Sequence, residues 1–239
     1  MKREEISVDF GKVVPISTID WHDRSSCTVF LNKCPLRCIW CQNFKLLYQT
    51  NIVDINIIKS KIEDSVGFVS SIVFSGGEPT LQEKALEELI RFSKKNDLFV
   101  GIQTSGYYPQ VLKKLIENNL LDKIFLDMKA PPSDPVKYKT ITGSDDAHKK
   151  VVESLGIMNN SQIASEVRTT VFKPFIDDIF NIAKFLEECN YRGMYVLQTG
   201  IPENAPNEEI RKEIRTKSEE MKNFAKKIYR ETGIVTMPC

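Results

Sequence analysis

The chain is short of histidine, of net charge and of long apolar runs. Its two histidines, His22 and His148, are isolated from each other, so no paired histidine metal site is written in the sequence. Lys plus Arg is 33 and Asp plus Glu is 32, a net charge of +1. Near-neutrality excludes a broad electrostatic claim on nucleic acid or anionic lipid. No stretch approaches the ~18 uninterrupted apolar residues of a membrane span. The start, Met1 to Phe10, lacks an apolar core of signal-peptide length and is interrupted by Asp9, so a cytoplasmic protein is expected. No Gly-, Ser- or Pro-rich linker, repeat or low-complexity tract divides the chain. One domain over 1–239 is therefore expected, with an N-terminal arm or hairpin over 1–25 and a C-terminal helix and tail over 207–239.

What is present is an ordinary globular balance, 41% hydrophobic and 27% charged over 239 residues. A chain of this length can bury roughly 70–75% of its unfolded surface and needs no disulfide staples. Short β-branched or aromatic runs occur at Cys27–Leu31, Ser71–Phe74, Leu98–Ile102, Lys123–Leu126, Glu166–Phe172 and Met194–Leu197. Helical spacing of apolar residues separates them, as in Leu81, Ala85, Leu86, Leu89 and Ile90, and a last helix is expected from about Asn207 to Tyr229. Strands alternating with helices predict an α/β fold with a parallel sheet, either doubled back or curled toward a barrel.

Six cysteines stand at 27, 34, 38, 41, 189 and 239. Three of them form Cys34-Pro-Leu-Arg-Cys38-Ile-Trp-Cys41, a C-x3-C-x2-C spacing on one short loop. Three thiolates without a fourth nearby cysteine leave one position of a metal centre open, the arrangement that catalysis at a metal requires. The donor type leaves an iron–sulfur cluster or zinc open, with coincidence as the remaining reading. Cys189 reads as a buried helix thiol, and Cys239 as a frayed terminus or a reactive tail thiol.

Polar groups follow the other predicted strands. Ser75-Gly-Gly-Glu-Pro-Thr80 follows one, where two glycines let a backbone approach a ligand closely, or simply make a turn into a helix. Gln103-Thr104-Ser105 follows another, then Asp127 with Lys129, then Gln198 with Thr199. Each alone reads as a loop, cap or surface pair. Arg168 lies inside a β-branched run and needs a partner if it points inward. The common position at the C-terminal ends of strands carries the argument, because those ends converge on the active face of a parallel barrel.

With these residues assembled, the chain resembles the radical S-adenosylmethionine (radical SAM) superfamily. The Cys34/Cys38/Cys41 triplet with Trp40 before the last cysteine matches its signature, and Ser75-Gly-Gly-Glu-Pro79 resembles its second motif. Leu126-Asp-Met-Lys-Ala-Pro-Pro132 and Tyr138-Lys-Thr-Ile-Thr-Gly143 are similar to the activating proteins of anaerobic ribonucleoside-triphosphate reductase and to pyruvate formate-lyase activating enzymes. The resemblance implies a partial (β/α)6 TIM-like barrel with a short N-terminal extension. It implies one 4Fe–4S cluster on Cys34, Cys38 and Cys41, with S-adenosylmethionine at the open iron, cleaved reductively to a 5′-deoxyadenosyl radical that abstracts hydrogen. It also implies the contacts: Gly76, Gly77 and Glu78 to the methionine amino group, Gln103 beside Thr104 and Ser105 at the ribose or carboxylate, Asp127 to the ribose or a cation. Lys129 and Arg168 would meet the carboxylate, Trp40 the adenine and Gln198 the adenosine.

The implied partners are a glycyl radical enzyme as protein substrate and an electron donor such as flavodoxin or ferredoxin, with no nucleic acid and no membrane. Lys33 stands where many relatives have Gly, and Gln103 where the activating enzymes carry Asp. Two other classes stay open: a small-molecule radical enzyme similar to 7-carboxy-7-deazaguanine synthase, and a non-enzymatic zinc-binding module.

Overall fold

The computed structural model describes residues 6–239. The first five residues of the expected N-terminal arm lie outside the described residues. The chain forms two compact units. One comprises the residues up to Cys34, Lys45–Thr104 and Gln110–Ile124; the other comprises Pro35–Phe44, Ser105–Pro109 and Phe125–Cys239.

In the first unit the elements are β1 (Ser7–Ser17), β2 (Ser26–Leu31), α1 (Lys45–Tyr48), β3 (Ile52–Asp54), α2 (Ile55–Glu63), β4 (Ser71–Gly76), α3 (Glu83–Lys95), β5 (Phe99–Thr104) and α4 (Pro109–Glu117). The strands lie in the order β3-β1-β2-β4-β5. β1 runs antiparallel to β2 and β3, whereas β2, β4 and β5 are mutually parallel. Cys27, Val29 and Leu31 of β2 and Ile72, Val73 and Phe74 of β4 are fully buried, as strands covered on both faces require. α3 presents Ala85, Leu86, Leu89 and Ile90 inward, the spacing of one helical face. Asp54 caps α2 by accepting the Asn56 N–H at 2.7 Å.

The second unit carries β6 (Lys123–Asp127) from Phe125 onward, then α5 (Pro135–Thr142), α6 (Ala147–Asn159), β7 (Ala164–Val171), α7 (Ile176–Glu188), β8 (Met194–Thr199), α8 (Glu208–Arg211), α9 (Ser218–Thr232) and β9 (Thr236–Pro238). The strand order is β6-β7-β8-β9, with β7, β8 and β9 parallel. α9 buries Met221, Ala225 and Ile228, again one face of a helix. All six strands read from the sequence are strands here, and the α/β class holds.

Two expectations fail at the C-terminus. The single helix over Asn207–Tyr229 is two helices, α8 and α9, separated at 212–217. The break has a local cause. Asn207 caps α8 through the N–H groups of Glu209 and Ile210, and Glu220 reaches back to the Lys217 N–H at 2.7 Å, so a second helix start interrupts the first. Ile214 lies in this break and is 70% exposed. The tail is also no frayed end. Cys239 N–H donates to Leu197 O at 2.7 Å, and its carbonyl accepts from Thr199 N–H at 2.9 Å. Cys189 is a half-buried residue just past the end of α7, not a core thiol.

Ending the chain at Val235 removes the β9 pairing with β8 and, beyond it, the Cys239 N–H to Leu197 O and Thr199 N–H to Cys239 O bonds, each bond worth about 1 kcal/mol. The expected result is a loss of more than about 2 kcal/mol in urea unfolding, with Thr199 amide protection from hydrogen exchange lost. Unchanged Thr199 protection would show that β9 does not pair.

Candidate metal and cofactor centre

In the first unit the Gly-Gly turn at the end of β4 closes on the exit of β2. Gly77 N–H donates to Leu31 O at 2.9 Å, and Glu78 N–H to Lys33 O at 2.8 Å. Gly76 has φ +126°, and a Cβ there would lie 2.2 Å from Leu31 O. A Cβ on Gly77 would lie 2.0 Å from Lys33 O and 3.2 Å from the Cys34 Cβ. The two glycines therefore admit the chain's own backbone, the segment that delivers Cys34. Lys33 itself has φ +67°, a left-handed conformation that explains why glycine suits this position.

Glu78 is fully buried. Its Oε1 accepts from Thr80 N–H, from the Thr80 hydroxyl and, at 2.7 Å, from the Thr104 hydroxyl. Glu78 and Thr104, both assigned from the resemblance to contacts with a ligand, thus hold each other. The Glu78 oxygen is spent on capping the turn that follows β4, and the Thr104 proton is spent on Glu78. Gln103 is half-buried and accepts from the Ser75 hydroxyl at 3.1 Å. Gln82, whose role the sequence does not reveal, exchanges hydrogen bonds with Asp9 N–H and Asp9 O at 2.8 and 2.9 Å and ties the motif to β1.

In the second unit the loop carrying Cys38 and Cys41 is held from two sides. Arg37 N–H donates to Thr142 O at 2.7 Å and Ile39 N–H to Ile141 O at 3.0 Å, so the loop satisfies the last carbonyls of α5. Asn207 N–H donates to Ile39 O at 3.2 Å. The Gly143 φ of +71° ends α5, and a Cβ there would lie 3.2 Å from the Arg37 Cβ. These anchors, Tyr138–Gly143 and Asn207, were not singled out from the sequence by function; the stretch Tyr138–Gly143 was visible only as a likeness.

Trp40 is buried against Phe172 and Phe175, with ring centroids 5.3 and 4.8 Å away. Its indole Nε1 is buried and has no hydrogen-bond partner among the described residues, an unspent donor on the cysteine loop. Asp127 and Lys129 pair at 2.9 Å. Burial pulls the Lys129 ammonium down, but the Asp127 carboxylate and the Cys38 and Cys41 sulfurs outweigh it and hold the group above its ordinary value. Burial pushes the Cys38 thiol up to about 11, with Lys129 pulling the other way, and it raises Cys41 as well. Such thiols give up their protons to a metal, not to water.

Arg168, expected at a ligand carboxylate, is engaged by protein groups. It is 1% exposed, its Nη2 lies 2.9 Å from Glu166 Oε2, and its guanidinium stacks 3.9 Å from the Phe125 ring centroid. Glu166 and Arg168 are i and i+2 on β7 and therefore share a face. Gln198 is half-buried near the end of β8, and Ser105 is half-buried in the loop after β5.

The residues fit a thiolate-bound iron–sulfur group in their chemistry. Among the described residues Cys34, Cys38 and Cys41 are in no disulfide, Cys38 and Cys41 have the half-buried Lys129 ammonium as an electrostatic neighbour, and Gly77 leaves no room for a side chain against Cys34. Among the described residues no group of three His, Cys, Asp or Glu side chains is set to hold a single metal ion.

Gly77→Ala, which drives a Cβ into Lys33 O, is expected to lower iron bound after anaerobic reconstitution by at least half while the far-ultraviolet circular dichroism is kept. Full iron retention would refute the clamp. Arg168→Met strands the Glu166 charge and should cost ~3–5 kcal/mol in chemical unfolding. A residue that only touched a ligand would leave stability unchanged.

A family model of the radical SAM superfamily matches residues 28–186. A protein of Methanocaldococcus jannaschii that bears the name of a glycyl-radical enzyme activating enzyme is 31% identical over 222 residues, 90% of this chain and 89% of its own. The pyruvate formate-lyase-activating enzyme of Clostridium pasteurianum is 29% identical over 143 residues, 54% of this chain and 57% of its own. Among solved structures, a radical SAM methyltransferase from Sphaerobacter thermophilus superposes with a TM-score of 0.72 at 14% identity, over 92% of this chain and 67% of that one. At that identity it speaks for the fold alone, an α/β partial barrel. With the cysteine triplet, the Gly-Gly turn and a family match over most of its length, the chain belongs to the radical SAM superfamily.

Proposed function

We propose that this radical SAM enzyme activates a glycyl radical enzyme, taking a hydrogen atom from a glycine Cα of a protein partner. The likeness to the Methanocaldococcus jannaschii protein, spread over 90% of this chain and 89% of that one, carries the reading. Cys34, Cys38 and Cys41 would hold one 4Fe–4S cluster, with S-adenosylmethionine at the iron that no cysteine fills. When bound, this pair supplies one-electron reductive chemistry that ends in abstraction of a substrate hydrogen atom. A flavodoxin or ferredoxin would supply the electron.

The chain's own residues bind, orient and exclude water. Gly76 and Gly77 would offer backbone to the methionine amino group, with Glu78 and Thr104 fixing that turn from beneath. Gln103, Ser105 and Gln198 are half-buried polar groups suited to the ribose and adenine. Asp127 and Lys129 would share the ribose and carboxylate, and the buried Trp40 Nε1 is a donor suited to an adenine acceptor. Arg168 acts behind this layer through Glu166.

The test is anaerobic. The reconstituted, reduced protein is mixed with S-adenosylmethionine and the glycyl radical enzyme of the same cell. A glycyl doublet in the EPR spectrum, with one 5′-deoxyadenosine per radical, is expected. Steady S-adenosylmethionine cleavage without any doublet would overturn the assignment and favour a small-molecule substrate.

A further inference from the structure

Tyr138 is 1% exposed, on the helix whose end grips the cysteine loop. Its phenol oxygen accepts the Lys129 N–H at 3.5 Å. Among the described residues its own proton has no acceptor. One turn further along α5, Ile141 and Thr142 hold the N–H groups of Ile39 and Arg37, the residues on either side of Cys38. One helix turn thus fixes Cys38 by backbone hydrogen bonds and meets the backbone of Lys129. The Lys129 side chain is 16% exposed, and its ammonium lies 2.9 Å from Asp127 Oδ2. Met128, between them, is pinned twice, by its N–H to Arg168 O at 2.8 Å and by its carbonyl to the Thr169 hydroxyl at 2.8 Å. Both bonds hold the β6 exit from which Lys129 projects. The proximity is also electrical, since the Cys38 and Cys41 sulfurs act on Lys129 and it acts on them.

We propose that Tyr138 and Lys129 form a potential-setting pair: the buried phenol places Lys129 beside Cys38 and Cys41, and the ammonium with the unspent phenol proton stabilises the reduced state of the group those cysteines bind. This rests on the iron–sulfur reading above. A positive charge and an O–H donor near cluster sulfurs both favour the form with one more electron, so both raise its reduction potential. Asp127 limits the effect of Lys129 but does not cancel it, because a carboxylate left without the ammonium would add negative charge. Tyr138 is a positioning residue in this scheme, and its main action is through Lys129.

The experiment is an anaerobic redox titration of the reconstituted protein without S-adenosylmethionine, read by the EPR of the reduced cluster, for wild type, Tyr138→Phe, Lys129→Gln and Lys129→Arg. Iron and sulfide content is measured on each. Lys129→Gln should lower the reduced-to-oxidised ratio about tenfold at fixed solution potential, ~59 mV for a one-electron couple. Tyr138→Phe should move in the same direction by less, and Lys129→Arg should stay near wild type. A wild type that binds no iron and sulfide would sink the cluster reading itself. Loaded proteins with unchanged potentials for both Tyr138→Phe and Lys129→Gln would overturn the proposal alone. A shift in Lys129→Gln with none in Tyr138→Phe would overturn the role of Tyr138. Should Lys129→Gln load poorly, the Tyr138→Phe titration decides: a lowered potential supports the pair and an unchanged one refutes it.

Discussion

Everything in the first unit that bears on chemistry depends on a backbone contact, the turn at the end of β4 lying against the exit of β2. Two hydrogen bonds, Gly77 N–H to Leu31 O and Glu78 N–H to Lys33 O, fix the segment that ends in Cys34. The contact is possible only without a side chain, since a Cβ on either glycine would sit inside a backbone atom. The buried Glu78 carboxylate then locks the turn through Thr80 and Thr104. Protein donors replace water around this buried carboxylate. The second unit solves the same problem differently: the C-terminal carbonyls of α5 take the N–H groups on both sides of Cys38.

These clamps separate two kinds of motif residue. Some would present chemistry under the proposed function: the three cysteines and the Trp40 donor. Others hold those in place: the Gly-Gly pair, Glu78, Thr104, Arg168 with Glu166, and Ile141 with Thr142. The holding residues are buried and polar. Their loss therefore carries a stability cost as well as a functional one, because an abandoned partner keeps its desolvation penalty. Arg168 illustrates the distinction, as its guanidinium is engaged by Glu166 and stacked on Phe125.

Much of the fold was legible in the sequence, for physical reasons. β2, β4, β5, β6, β7 and β8 are short runs of β-branched and aromatic residues, the pattern of strands covered on both faces. The cysteine spacing is local, so no tertiary knowledge was needed to find it. β9 was not legible, because three residues ending in Pro238 give no periodicity and only pairing with β8 makes them a strand. The break between α8 and α9 was hidden because apolar spacing continues through it, while Asn207 and Glu220 start two helices. The Glu166–Arg168 pair was within reach, since alternate residues of a strand share a face, but Arg168 read alone suggested a ligand. The service of the glycines to the chain's own backbone was not within reach, because the partner segment lies over forty residues away in sequence.

The central claim is that Cys34, Cys38 and Cys41 bind a four-iron cluster and leave one iron for S-adenosylmethionine. Mössbauer spectroscopy of the anaerobically loaded, iron-57-enriched protein, with and without S-adenosylmethionine, tests it most directly. The account predicts that one iron of four changes its isomer shift when S-adenosylmethionine is added. Four irons unaffected by S-adenosylmethionine, or a protein that takes up zinc without iron and sulfide, would contradict it.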